Sequence, residues 1–195
     1  RWSPYNYTNE AVPPTNADAA FPILRVRHNV ALIGLSTARP SGPFLATGAL
    51  GEPQLQRLER MLEQTAAAGL FRIVLLHHPP APHTVRWRKS LLDGAALRDV
   101  LDRRGAELVL HGHAHFYAAG YLDGARSRTL AIGVPSASLV GRKVDRHATY
   151  HVYRIARVAA GWRLRVSVRA FSLESGQFVP EDGQRLRRAL AAAPA

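Results

Sequence analysis

The chain contains no cysteine, and only two of its 195 residues are lysines. The absence of cysteine excludes disulfides and thiolate metal sites, so any metal ion must be held by histidine, carboxylate or amide ligands. No run of about eighteen or more apolar residues occurs, and a membrane-spanning helix is therefore not predicted. A chain without cysteine fits the reducing interior of a cell, and we expect a cytoplasmic location.

The formal net charge is +12, and arginine supplies nearly all of the positive charge. One interpretation is an anionic partner such as a phosphate ester, a nucleic acid or an acidic lipid. The other is an arginine-rich composition spread over solvated faces. The arginines are dense only in residues 85–90 and 185–190. The charge alone leaves both interpretations open.

The length allows a single domain with a sizeable core, or part of a larger one. We divide the chain into an irregular segment (residues 1–20), a core (21–171) and a C-terminal tail (172–195). The segment before the core is rich in proline and asparagine and lacks the apolar stretch of a signal peptide. Because the first residue is Arg1 rather than methionine, we expect the chain to be cut from a longer one.

The first half of the core has the pattern of alternating strands and helices. Apolar runs and turn residues predict two strands in residues 21–37, a helix at 51–69, a strand at 71–78, a helix at 94–105 and a strand at 106–115. This order is typical of a largely parallel sheet with crossover helices. Beyond His115 only strands are predicted, and residues 162–169 alternate apolar and polar as in a hairpin with one solvated face. The fold class is therefore α/β, with two sheets packed face to face.

Six of the nine histidines cluster at the ends of two predicted strands: His77, His78, His83, His111, His113 and His115. Strand ends are where open α/β sheets bind ligands, and neutral imidazoles suit zinc, manganese, iron and nickel. Gly112 is expected to let the backbone bend after the strand, and the prolines after His78 to fix the other turn. We interpret His28, His147 and His151 as ordinary polar residues.

Two metal-hydrolase motifs are excluded by spacing. A His-x-His-x-Asp-His motif fails because Phe116 and Tyr117 follow His115. The His-Glu-x-x-His motif of metalloproteases does not occur in the chain.

Two other elements resemble those of the calcineurin-like metallophosphoesterases. The stretch "LLHHPP" (Leu75–Pro80) is similar to the family's His-x-Pro element, and "LHGHAH" (Leu110–His115) to its Gly-His-x-His element. The resemblance extends from about Phe21 to about Phe171, and is to bacterial members related to cyclic-nucleotide and glycerophosphodiesterases. It implies a four-layer α/β/β/α sandwich of two packed mixed sheets, with the N-terminal part of the fold missing from this chain.

The resemblance also implies a metal-dependent chemistry. The family binds two divalent metal ions, expected to be manganese, iron or zinc, with His77 and His113 at the second metal and His115 at the first. His78 and His111 are not expected to be ligands. A metal-bridging hydroxide would attack phosphorus and hydrolyse a phosphoester, which we expect to be a phosphodiester.

The sequence departs from the family upstream of the first matched element. The family's Asp-x-His, Gly-Asp-x-x-Asp and Gly-Asn-His elements do not occur before Leu75. No catalytic residue is therefore identifiable in this chain, which would supply only part of the dinuclear centre. We expect it to be the C-terminal portion of an enzyme and to be inactive, or nearly so, alone.

The loop after the first matched element is a candidate for substrate binding. Arg86, Trp87 and Arg88 are predicted to contact a small phosphoester, since guanidinium groups bind phosphate and an aromatic ring binds a flat group. Two alternatives to the enzyme stay open, namely a catalytically inactive scaffold and a basic module that binds nucleic acid or other anions. The sequence does not indicate an oligomeric state.

Overall fold

The computed structural model describes residues 20–138 and 148–181. Its elements, in chain order, are β1 (Ile23–Arg27), β2 (Val30–Gly34), α1 (Glu52–Ala67), β3 (Phe71–Leu75), a 3-10 turn (Trp87–Lys89), α2 (Gly94–Arg104), β4 (Leu108–His111), β5 (Ala118–Asp123), β6 (Arg128–Gly133), β7 (Thr149–Val158), β8 (Gly161–Ser172) and β9 (Gln177–Glu181). His147, the arginines of 185–190 and nearly all of the predicted N-terminal segment lie outside the described residues.

The first sheet has six strands in the order β1-β2-β3-β4-β6-β5. Its four interior strands, β2, β3, β4 and β6, are mutually parallel, and β1 and β5 pair antiparallel at the two edges. The predicted strand–helix–strand order therefore produces the parallel sheet expected of crossover connections. Because β3 and β4 are adjacent and parallel, their carboxyl ends meet at the same edge of the sheet.

Helices α1 and α2 cover one face of this sheet. Leu58 and Leu62 of α1 are fully buried at helical spacing and belong to one apolar cluster with Val74 of β3 and Val109 of β4. Pro53 lies in the first turn of α1, and the chain leaves the helix through Gly69 at a φ of 65°.

The second sheet has three antiparallel strands in the order β7-β8-β9. Alternate residues of β7 and β8, among them Tyr153 and Val166, pack against Phe71 and Leu108 on the other face of the first sheet. The predicted hairpin is confirmed, with Val158 opposite Gly161 at its turn. The predicted alternation along 162–169 thus corresponds to one packed and one solvated face.

The described residues form three layers, with two helices, a six-stranded mixed sheet and a three-stranded sheet. The mixed α/β class is confirmed, whereas the fourth layer of the predicted sandwich stays a prediction. β3 ends at Leu75 and β4 at His111, earlier than the sequence indicated, and β9 lies within the predicted tail. No helix in the described ranges is long and apolar enough to span a membrane.

Candidate metal site

The candidate site lies where the chain leaves β3 and β4. Hydrogen bonding between the two segments continues past the strands, since the Leu76 N–H donates to the Leu110 carbonyl and the Gly112 N–H to the His77 carbonyl, each at 3.1 Å. This ladder places the backbone of His77 beside that of Gly112. The two histidine-rich turns are therefore held together by main-chain hydrogen bonds as well as by the contacts of their side chains.

Three imidazoles form one cluster at this edge, contributed by His77, His78 and His113. The ring centroids of His77 and His113 are 4.8 Å apart, and those of His78 and His113 are 4.3 Å apart. A hydrogen bond joins the Nε2 atom of His77 and the Nδ1 atom of His113, which lie 3.0 Å apart. Two nitrogen ligands of one tetrahedral zinc ion, each about 2.0–2.1 Å from it, would lie about 3.3–3.4 Å apart. An ion shared by these two nitrogens would therefore replace the hydrogen-bonded proton and move the nitrogens apart by a few tenths of an ångström.

His78 is the fixed member of the cluster. Its Nε2–H donates to the Ala46 carbonyl at 3.1 Å, because a carbonyl can only accept, and its Nδ1 is 2.7 Å from the Thr37 hydroxyl. The side chain is buried, and a Cβ atom at Gly48 would overlap the ring. Both nitrogens of His78 are thus engaged with the protein, which supports the prediction that it is not a ligand.

Thr37, Ala46 and Gly48 were not identified from the sequence as part of this site. They come from the loop between β2 and α1, some thirty to forty residues before His78, so local sequence spacing carries no sign of them. Their contribution is to hold the ring against which His113 packs.

The bend after β4 is made by histidines and not by glycine. His113 has a φ of 63° and His115 a φ of 55°, whereas Gly112 is not among the residues with positive φ. The expectation that Gly112 supplies the bend was therefore wrong. A positive φ is uncommon for a residue with a side chain, although histidine adopts it more readily than most. Such strain is concentrated at functional sites, and here it falls on two of the three predicted ligands.

The imidazoles of His77 and His113 are held in their neutral form. Burial lowers the pKa of His113 to about 4, and the neighbouring charges of His78, His77, Lys89 and His115 lower it further. The pKa of His77 is also lowered, first by burial and then by the charges of His78 and His115. Because only a neutral imidazole has a free lone pair, both groups are in the protonation state that a metal requires at neutral pH.

The predicted three-histidine ligand set is only partly assembled. His77 and His113 are in direct contact, but His115 is exposed and makes no hydrogen bond with the described residues. Among residues 20–138 and 148–181, no group of three or more histidine or acidic side chains is placed to hold a metal ion. The Nε2 atom of His113 is buried and has no partner within the described structure. The residues present fit one half of a metal centre.

His111 has a different environment from its neighbours in the motif. Its side chain is only 8% exposed and lines a cavity of about 530 Å³ between β5 and the turn at residues 81–84. Burial lowers its pKa to about 4. The ring lies against Gly133 of β6, where a Cβ atom would overlap it. These contacts support the prediction that His111 is not a ligand.

The predicted substrate-binding residues lie on an exposed segment that is anchored beside the site. Arg86, Trp87 and Arg88 are exposed, with Trp87 70% accessible. The Arg88 carbonyl accepts from Ala46 N–H at 2.8 Å, the same residue that holds His78. The charge of Lys89 acts on the pKa of His113, which places this segment within electrostatic range of the cluster. Contact of Arg86, Trp87 and Arg88 with a substrate stays a prediction.

One curated protein is similar to the chain over part of its length. A protein named "Probable cyclic nucleotide phosphodiesterase" from Synechococcus sp. (strain WH7803) is 35% identical over 112 residues. The match covers 54% of this chain and 39% of the relative, so the matched region is well under two thirds of the relative's length. No protein-family model matches the chain.

Two solved structures are similar to part of the chain. GAP50, the anchor in the inner membrane complex of Plasmodium, has a TM-score of 0.48 at 15% identity, covering 85% of this chain and 56% of that one. A dimetal phosphatase from Danio rerio has a TM-score of 0.41 at 16% identity, covering 63% of this chain and 32% of that one. The likeness of fold is partial in both cases.

Proposed function

We propose that this chain is part of a metal-dependent phosphoesterase, as its resemblance to the calcineurin-like metallophosphoesterases implies; a 35% identical relative named a probable cyclic nucleotide phosphodiesterase supports the proposal. One observation carries the proposal. Two neutral imidazoles from adjacent strand ends share a hydrogen bond of 3.0 Å between Nε2 of His77 and Nδ1 of His113, and a divalent ion could take the place of that proton after a small separation of the rings.

His77 and His113 would hold the ion, and the rest of the cluster would orient them. His78 is immobilised through Thr37 and Ala46, and its ring packs 4.3 Å from that of His113. Packing a ligand side chain against an immobilised neighbour restricts its rotamers, which is one way that proteins hold metal sites in a productive geometry. A bound divalent ion would supply Lewis-acid stabilisation of the charge that develops on phosphoryl oxygens.

His115 is proposed as a ligand that requires further residues. It follows His113 by two positions, has a positive φ, and lies close enough for its charge to lower the pKa of both His77 and His113. Its exposure leaves the ring free to bind a metal ion from outside the cluster. A dinuclear centre would then need carboxylate and amide ligands like those of the family's upstream elements, which do not occur before Leu75. We therefore propose that the chain alone binds metal weakly and hydrolyses phosphoesters at most in traces.

The substrate proposed is a small phosphodiester. Lys89 acts on His113 electrostatically, and the exposed Arg86 and Arg88 add two more cations to the same short segment. Trp87 offers an exposed ring on which a base or another flat group could stack. The cations would attract an anionic substrate to the metal edge of the sheet, and the Arg guanidiniums can form paired hydrogen bonds to phosphate oxygens.

The alternative functions predict a different behaviour towards metal. An inactive scaffold or a basic anion-binding module has no need for two neutral, closely spaced imidazoles at a strained turn. Calorimetric titration with Zn²⁺ and Mn²⁺ separates these possibilities when it is combined with an assay of bis(4-nitrophenyl) phosphate hydrolysis. We expect metal binding with little or no hydrolysis for this chain.

The matched variants for that titration are His113→Gly and His28→Gly. Both positions have positive φ, 63° and 51° respectively, so glycine removes the imidazole without adding backbone strain. We expect His113→Gly to lose the heat of metal binding and His28→Gly to keep it. Equal binding by both variants would contradict the assignment of the site.

A further inference from the structure

The second sheet has one face that is packed and one that is strongly basic. Tyr153 and Val166 point towards the first sheet, so their neighbours in the two strands point away from it. The outward-pointing residues of β7 and β8 include four arginines, which we call the basic face: Arg154, Arg163, Arg165 and Arg169. The first three are exposed and Arg169 is half-buried.

The positive charges of the basic face are not balanced within the sheet. Arg154 is directly opposite Arg165 in the β7–β8 register, and like charges in that position destabilise a sheet. No ion pair is found for any of the four arginines within the described strands, and the outward positions of β7, β8 and β9 include no acidic residue. The nearest acidic residue in sequence, Glu174, lies in the turn between β8 and β9. Because burying unpaired charges is costly, we do not expect the fourth layer of the predicted sandwich to cover these arginines, and the arrangement is complementary to an anion.

Aromatic side chains lie on the same face, next to Arg169. Tyr150 is directly opposite Arg169 in the register and remains 38% exposed. Its ring is 5.0 Å from that of Phe178, which in turn is 5.5 Å from that of Phe171. These two phenylalanines hold the tyrosine ring in place at the surface. The face therefore combines a row of guanidinium groups with an anchored, accessible aromatic ring.

The dimensions of the face fit an extended polyanion. Arg163, Arg165 and Arg169 all lie on β8, and six residues of a strand span about 20 Å. Cationic grooves that follow a backbone, with aromatic rings on which bases stack, are the means by which proteins bind single-stranded nucleic acid without sequence preference. A membrane-binding face would instead surround an apolar patch with its charges, whereas here the arginines alternate along the strands with Val152, Ser167 and Ala156.

We propose that the basic face binds single-stranded nucleic acid, with phosphates on the arginines and a base stacked on Tyr150. This site is on the opposite side of the second sheet from the first sheet and is independent of the metal site. Its test is therefore carried out in EDTA, so that failure here leaves the phosphoesterase proposal untouched.

The probe is a fluorescein-labelled oligo(dT) of twelve nucleotides, measured by anisotropy. Four phosphate contacts on a single strand predict a slope of about −2.8 when the logarithm of the binding constant is plotted against the logarithm of the salt concentration. The affinity is therefore expected to fall about fifty-fold between 50 and 200 mM salt. The triple variant Arg154→Gln, Arg163→Gln, Arg165→Gln is expected to reduce the slope by about 2. The control triple, Arg27→Gln, Arg60→Gln, Arg126→Gln, removes the same charge from exposed positions elsewhere and is expected to leave the slope unchanged.

Stacking is tested separately from charge. Tyr150→Ala is expected to weaken binding at least about 5-fold, and Tyr150→Phe to keep it, because stacking needs the ring and not the hydroxyl. Three results would overturn the proposal. The first is an equal loss of oligo(dT) affinity and salt slope in the two triple arginine variants. The second is tighter binding of a hairpin duplex than of oligo(dT), and the third is binding of phosphatidylserine vesicles without binding of oligo(dT).

Discussion

Low pH is expected to destabilise the folded chain because His111 is buried in its neutral form. The size of the destabilisation follows from the lowered pKa of this ring. The ring is 8% exposed, and its pKa falls from 6.5 to about 4 in the folded state. Between these two values the unfolded chain binds a proton that the folded chain does not, so stability falls as pH falls. The contribution of the neutral His111 to the free energy of unfolding is fully present above pH 6.5. About 2 kcal/mol of it is lost at pH 5, and about 3 kcal/mol once the pH is below 4.

Urea denaturation followed by circular dichroism, at pH values from 8 to 5 in EDTA, measures this loss. His113 and His151 also have pKa values lowered to about 4, so the wild-type curve contains their effects as well. The variant His111→Asn isolates one group, because it removes only the His111 proton. We expect the variant to lose about 2 kcal/mol less than wild type between pH 8 and pH 5, and the control His83→Asn, at an exposed loop position, to follow wild type. If the free energy of unfolding falls by the same amount between pH 8 and pH 5 in wild type and in His111→Asn, the reasoning is refuted.

Three further predictions concern packing and the loop beside the site. Gly48→Ala places a methyl group against the His78 ring and 2.8 Å from the Thr37 carbonyl oxygen, so we expect a loss of about 1–3 kcal/mol in urea denaturation. Gly42→Ala, where the added Cβ meets only Leu45 at 3.7 Å, is the matched control, and equal losses would contradict the close packing. Leu58→Ala removes a fully buried side chain between α1 and the sheet and is expected to cost about 2–5 kcal/mol, against less than about 1 kcal/mol for Leu92→Ala at a 55% exposed position. In a polypeptide that includes the upstream ligands, replacing Arg86, Trp87 and Arg88 with alanine is expected to raise KM for a phosphodiester without lowering kcat; a fall in kcat alone would argue against a role in substrate binding.

The order of the elements could be predicted because local signals agree with the fold. The periodic leucines of α1, the continuous apolar runs of β3 and β4, and the alternation along β8 each correspond to an observed element. Strand ends were predicted less well. The apolar run before His78 continues past Leu75, but β3 ends there as a regular strand, and only single backbone hydrogen bonds to the neighbouring segment follow. β9 was missed because the sequence after Ser172 is polar, and a turn with Gly176 at a φ of 65° returns the chain to pair with β8.

The site could be predicted only as far as the two histidine-rich turns. Their position at adjacent strand ends follows from the parallel pairing of β3 and β4, which the strand–helix–strand pattern indicates. The contact between His77 and His113 depends on the left-handed backbone conformation of His113, and no sequence pattern predicts that conformation. The engagement of His78 by Thr37 and Ala46 depends on a loop that is distant in sequence. Such long-range contacts are set by tertiary packing, so the sequence pattern carries no trace of them.

The most direct test of this account is X-ray absorption spectroscopy of the chain loaded with one equivalent of Zn²⁺. If Nε2 of His77 and Nδ1 of His113 share the ion, the spectrum will show at least two imidazole ligands with zinc–nitrogen distances of about 2.0–2.1 Å. Both imidazoles contribute to that shell, so His113→Gly is expected to remove at least one of them and His28→Gly none. A spectrum without imidazole scattering, or one that is unchanged in His113→Gly, would contradict the claim that these two strand ends form part of a metal centre.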